Sequence, residues 1–220
     1  MAAGQRGKDA MSPPTRKLAA WAVASLVGVA VAVSVTFAVS RPASKEPRAS
    51  LFRGIEEPRG IVMPVFSLRS YRGQPVSAAS YRGKVVVLTF LDTDCKDVCP
   101  IVARVVADAV RGLSPAERSE VIAVAITSDP RVDTPMAIRA FLRRRHAVGA
   151  VDYLIAPIPT MRLVWRSFHV LSSLESGDAN IHSAPVRIYS RDGKWLATEH
   201  TGVDLSAANL VHDVRVALRR

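Results

Sequence analysis

At 220 residues the chain has room for one ordinary globular domain plus further segments, and a formal charge of +11 raises the question of nucleic-acid binding. The charge is spread out: 9 Lys+Arg against 4 Asp+Glu in residues 1–65 and 21 against 15 beyond, scattered apart from Arg143-Arg144-Arg145 and with no aromatic pattern. This excludes a nucleic-acid interface in favour of a solvated helix face or contact with anionic lipid, and two cysteines exclude a many-bridge disulfide scaffold.

Residues 1–17 are polar and rich in Pro and Gly, and no fold is expected there. Residues 18–40, LAAWAVASLVGVAVAVSVTFAVS, contain neither charge nor proline over 23 positions. At about 1.5 Å per residue, a helix of that length spans a bilayer core, and it lacks the polar stripe of a soluble helix. Arg6, Lys8, Arg16 and Lys17 precede it while Arg41, Lys45, Arg48 and Arg53 follow, so charge alone barely orients it. The basic approach to an N-terminal span reads as a signal-anchor with the short tail inside. Ala38 and Ser40 are compatible with cleavage, but the length of the apolar stretch favours a retained anchor. Residues 41–61, with three prolines and mixed charge, read as a tether.

The folded part is expected from residue 62. A short hairpin is predicted over Pro64 to Val76, turning at Gly73. Residues 85–91, VVVLTFL, form the continuous apolar run of a strand buried on both faces. Asp92-Thr93-Asp94 ends it with capping side chains, and apolar spacing from Val98 to Gly112 predicts a helix. A second buried strand follows at 121–127, then a helix capped by Asp133-Thr134 with Pro135 in its first turn. A short strand at 152–156 and a helix at 160–169 come next. VRIYS and WLATEH flank an Asp192-Gly193 turn, and an amphipathic helix over Leu205–Leu218 closes the chain. This order implies a mixed sheet covered on both faces, with the CKDVC segment at the carboxyl end of a strand, where such sheets place their sites.

Cys95 and Cys99 are four positions apart at a loop-to-helix junction, close enough to share a metal or to form a disulfide. A helix N-terminus favours the thiolate. Asp92, Asp94 and Asp97 against Lys96 leave a local charge of −2, which opposes ionisation but attracts a cation. On these residues alone, a metal site, a redox pair and two structural cysteines all remain open.

Three segments, GKVVVLTFLDTDCKDVCP, ITSDPRVDTP and IHSAPVRIYSRDG, resemble in this order and spacing the Sco/SenC family of copper-binding, cytochrome-oxidase-assembly proteins. The resemblance runs from near Phe66 to the C-terminus and extends to that family's N-terminal anchor. It implies an α/β, thioredoxin-like mixed sheet covered by helices on both faces and preceded by a transmembrane helix. The implied division is a tail at 1–17, an anchor at 18–40, a linker at 41–61 and the copper-binding domain at 62–220. It further implies copper ligands at Cys95, Cys99 and His182, with Asp97 matching the aspartate between the cysteines. Two thiolates and an imidazole form a soft set suited to copper, and no third cysteine exists for a structural zinc. Family members usually carry proline where Lys96 stands, and Pro185 lies where thioredoxins have a cis-proline, so a cis Ala184–Pro185 bond is expected.

The expected role is a single-pass copper metallochaperone with its C-terminal domain outside the cytoplasm. Its partner would be the copper subunit of cytochrome c oxidase or another extracytoplasmic copper or thiol protein. The alternative is a thiol–disulfide oxidoreductase in which Cys95 and Cys99 are the redox-active pair. A scaffold with a structural disulfide is the third option. His146, His169, His200 and His212 are assigned no role, and Met63, Met136 and Met161 are too widely spaced for a methionine-rich copper motif.

Overall fold

The computed structural model describes residues 50–220; the expected tail and the apolar span at 18–40 lie outside the described residues. Among the described residues no helix is long and apolar enough to cross a membrane.

The elements follow from the local patterns. The predicted hairpin forms as β2 (Ser67–Ser70) and β3 (Pro75–Ser77), with Gly73 at φ 88° where a side chain would be strained. A short 3-10 turn (Ala78–Tyr81) leads into β4 (Val85–Leu91), all seven residues of which are buried. Its residues alternate between two cores: Val85, Val87 and Leu91 face one, and Val86, Leu88 and Phe90 the other. Helix α1 (Val98–Gly112) buries Val102, Ala103, Val106 and Ala107 at helical spacing. The short α2 (Pro115–Ser119) carries a Ser114–Glu117 capping box and returns the chain to β5 (Val121–Thr127). Helix α3 (Pro135–Arg144) is capped by the Thr134 hydroxyl alone. There follow β6 (Asp152–Ile155), α4 (Ile158–Ser167), the single turn α5 (Ser173–Ser176), β7 (Val186–Tyr189), β8 (Trp195–Glu199) and α6 (Ala207–Leu218).

The strands join in one open sheet. A two-residue strand β1 (Ile55–Glu56) leads the order β1-β8-β7-β4-β5-β6-β2-β3. β4, β5 and β6 run parallel, and β7 is antiparallel to β4. α1, α3 and α6 cover one face, and α4 with Tyr81 covers the other. The mixed sheet with helices on both faces is as expected, and it sets the β4–α1 junction at the carboxyl end of the central strand.

Two expectations change. Residues 50–61 belong to the folded unit, which runs from Ser50 to Arg220. Phe52 is 5% exposed in the core, and the backbone amides of Arg53 and Gly54 donate to the buried Asp213 carboxylate at 2.8 Å. β1 then pairs with β8. Prolines and mixed charge disfavour local structure, but long-range pairing supplies it here. Second, no cis peptide bond occurs among the described residues, so Ala184–Pro185 is trans.

Candidate metal centre

The loop leaving β4 is tied down by buried carboxylates. Asp92 accepts from the Asp94 amide at 2.7 Å and from the Ser173 hydroxyl at 2.5 Å. Asp133 accepts from the Thr93 amide at 2.8 Å, so it anchors this loop from below and leaves the capping of α3 to Thr134. The expected side-chain cap from residues 92–94 is absent: the N-cap position of α1 is Asp97, and its side chain makes no capping bond. The free amides of that turn face Cys95 instead.

Cys95 and Cys99 are free, with exposures of 2% and 0%. The Cys99 sulfur accepts from the Asp92 amide at 3.3 Å and lies 3.0 Å from His182 Nε2. His182 is half-buried on the loop between α5 and β7. Its Nδ1 sits 3.2 Å from the Ser183 carbonyl, which can only accept and so holds a proton there; the protonated ring donates its Nε2–H to the sulfurs, and the neutral ring offers an Nε2 lone pair on the same side. The Asn180 side chain, accepting from the Lys96 amide at 2.9 Å, joins the histidine loop to the cysteine loop. One ligand atom from each of Cys95, Cys99 and His182 lies within 4.8 Å of the other two.

The two sulfurs share one proton unequally. Cys95 is pulled down to about 3, chiefly by a hydrogen bond from Cys99, with burial opposing and His182 and the amides of Cys99 and Asp97 assisting. Cys99 is pushed well up, first by burial and then by the Cys95 thiolate. Burial works to lower the His182 pKa, but the Cys95 thiolate, the Ser183 carbonyl and Asp92 outweigh it and the net shift is upward. Asp94 pairs with Lys96 at 2.8 Å, and burial raises the Asp92 pKa.

The donor set fits a soft metal ion. Bonds of about 2.0–2.3 Å allow one ion to bridge donors at this spacing. No fourth Cys, His, Asp or Glu joins the cluster among the described residues, which disfavours a closed tetrahedral zinc site and suits copper. Beside His182 a cavity of about 430 Å³ is lined by His169, Arg187, Trp195 and His200 among others. His169, at φ 51° just past α4, and His200 were not singled out by sequence; what brings them beside His182 is tertiary folding. A larger cavity of about 810 Å³, between residues 56–60 and the β7–β8 turn, contains no cysteine or histidine.

Residues 56–218 match the model of the SCO1/SenC family. The chain belongs to that family. An SCO2-like protein of Rickettsia prowazekii is 25% identical over 193 residues, covering 84% of this chain and 89% of the relative. The copper-bound ScoI of Bradyrhizobium japonicum superposes with a TM-score of 0.61 at 22% identity, over 71% of this chain and 99% of that one. BsSco, described with a disulfide switch and as a member of the Sco family of cytochrome c oxidase assembly proteins, gives 0.60 at 24% identity, over 74% and 96%. These likenesses establish the thioredoxin-like fold, and the Cys95–Cys99–His182 cluster gives this SCO1/SenC chain a donor set consistent with copper.

Proposed function

We propose that this SCO1/SenC protein is a copper metallochaperone, held to the membrane by residues 18–40, that carries copper on Cys95, Cys99 and His182 to an extracytoplasmic acceptor. By family the acceptor is the copper site of cytochrome c oxidase. The observation that carries this reading is the meeting of two reduced sulfurs and an imidazole Nε2 within 4.8 Å at the end of β4. Copper here is cargo. The chain's own task is to present one thiolate at Cys95, to surrender the remaining Cys99 proton when the ion enters, and to keep the His182 lone pair directed inward through Ser183.

The test is anaerobic loading of reduced residues 50–220, which form one compact unit, with Cu(I). About one copper per chain, lost in His182→Ala and in Cys95→Ser, is the expected result. Absence of retained copper by a folded chain overturns it.

A second reading, thiol–disulfide exchange with partner cysteines, draws on the same low Cys95 pKa. In it, Cys95 and Cys99 close to a disulfide as a partner's disulfide is reduced. Exposures of 2% and 0% leave little room for an attacking or attacked sulfur, which favours the metal reading. His182→Ala separates the two, since exchange survives it and copper retention does not.

A further inference from the structure

Arg187 on β7 is 7% exposed, and its guanidinium stacks 4.3 Å from the Trp195 ring centroid and 5.9 Å from that of Phe168. Aromatic faces hold a guanidinium but leave its N–H groups needing acceptors in its own plane. The Arg187 Nε hydrogen has no acceptor among the described residues. No carboxylate among the described residues forms an ion pair with Arg187. A buried charge without a counter-ion is costly, and a ligand that brings one relieves that cost.

This cation lines the same cavity of about 430 Å³ as the metal-site residue His182, so the missing counter-ion has a place to enter. Glu57, the one acid on the cavity wall, accepts from the Thr198 hydroxyl at 2.6 Å through one oxygen and makes no ion pair with Arg187. Leu171, Ile181 and Val203, each one or two chain positions from a lining residue, are 46%, 56% and 81% exposed. Exposed apolar side chains around a recessed arginine are the anatomy of a protein contact.

We propose that this cavity is a docking site in which Arg187 forks the carboxylate of an Asp or Glu side chain on the protein that exchanges copper at Cys95, Cys99 and His182. The copper business of that partner rests on the function proposed above; recognition of its carboxylate does not. A guanidinium fork accepts a carboxylate through two parallel hydrogen bonds, which an amide cannot reproduce.

The test uses the full chain, reduced, metal-free and ¹⁵N-labelled. The Arg187 Nε–H and Trp195 indole resonances are followed against acetyl-Leu-Glu-amide, acetyl-Leu-Gln-amide and sodium acetate. The glutamate peptide is expected to shift both resonances, with the glutamine peptide and acetate each weaker by about tenfold or more. Arg187→Gln is expected to abolish the indole response. Equal binding of the two peptides, no response to any probe, or a response unchanged in Arg187→Gln overturns the proposal. Acetate binding as tightly as the glutamate peptide overturns protein docking and assigns the cavity to free carboxylates. Arg187→Gln can fail to fold, but the comparison of peptides on the unaltered chain decides without it. A failed copper titration leaves this test intact.

Discussion

The carboxylate of Asp133 collects donors from three segments: the Thr93 amide at 2.8 Å, the Thr127 hydroxyl at 2.5 Å and the Tyr153 hydroxyl at 2.7 Å. Tyr153 is fully buried and also lies 2.7 Å from the Leu91 carbonyl, so this cluster pins the last residue of β4 and the loop that follows it. Truncation would leave the Thr93 amide and the Thr127 hydroxyl without their acceptor in a dry interior, each costing on the order of 1–3 kcal/mol, while Tyr153 keeps the Leu91 carbonyl. Asp133→Ala is therefore expected to lower unfolding free energy by about 3 kcal/mol or more in urea titrations, and to reduce copper retention through the loosened Cys95 loop. Asp133→Asn keeps one acceptor oxygen for Thr93 and should lose less than half as much. Equal losses in the two variants would show that packing, and not the hydrogen bonds, is what Asp133 provides. In sequence this residue looks like a helix cap beside Thr134. Only the tertiary position of Thr93 and Tyr153 reveals the other role.

At the scale of elements, the central strands, α1, α3 and the β7–β8 hairpin were legible because their signals are local: an unbroken apolar run, helical spacing, a proline in a first turn, Asp-Gly at a turn. The cysteines, too, were placed by local pattern, and His182 by its resemblance to a family motif. The segment 50–61 was not legible, since what orders it is Asp213, some 160 positions away. Nor was the cavity beside His182, whose walls come from β7, β8 and the loop after α4. The segment's docking rests on Gly54. A Cβ there would stand 2.7 Å from the Thr198 carbonyl oxygen and 2.9 Å from Glu199 Cγ, too close for backbone that is already paired. Gly54→Ala is expected to cost about 2 kcal/mol, typical of overpacking, and to speed amide exchange in β1 and β8. Unchanged exchange protection in both strands would mean that β1 contributes little to closing the sheet edge.

For the molecule as a whole, the Gly54 contact leads to a buried acid. Glu199 is 0% exposed, and among the described residues its carboxyl group has only the Ser206 backbone and the Asp213 carboxyl nearby, neither in close hydrogen-bond geometry. Burial first, and then the carboxylates of Asp213 and Asp204, push its pKa from 4.5 up to about 8. Asp213 is the better-served partner, accepting from two backbone amides and lying 2.8 Å from His212 Nδ1. Between pH 4.5 and 8 the unfolded chain has released the Glu199 proton while the folded chain retains it. The unfolded state then binds fewer protons, so this group makes stability fall as pH rises through that window and adds no slope outside it. Glu199→Gln keeps the neutral shape and removes the titration. The full chain is expected to lose thermal midpoint between pH 5 and pH 8.5, and the variant to melt higher than the parent at pH 8.5 by roughly 5 °C or more while matching it near pH 5. Parallel profiles for the two proteins would place the charge on Glu199 in the folded state and overturn the assignment. Because Glu199 lies on β8, beside the docked segment and α6, proton release is expected to loosen that edge first. Amide exchange at residues 53–56 should then quicken with pH beyond the intrinsic chemical rate in the parent and not in Glu199→Gln.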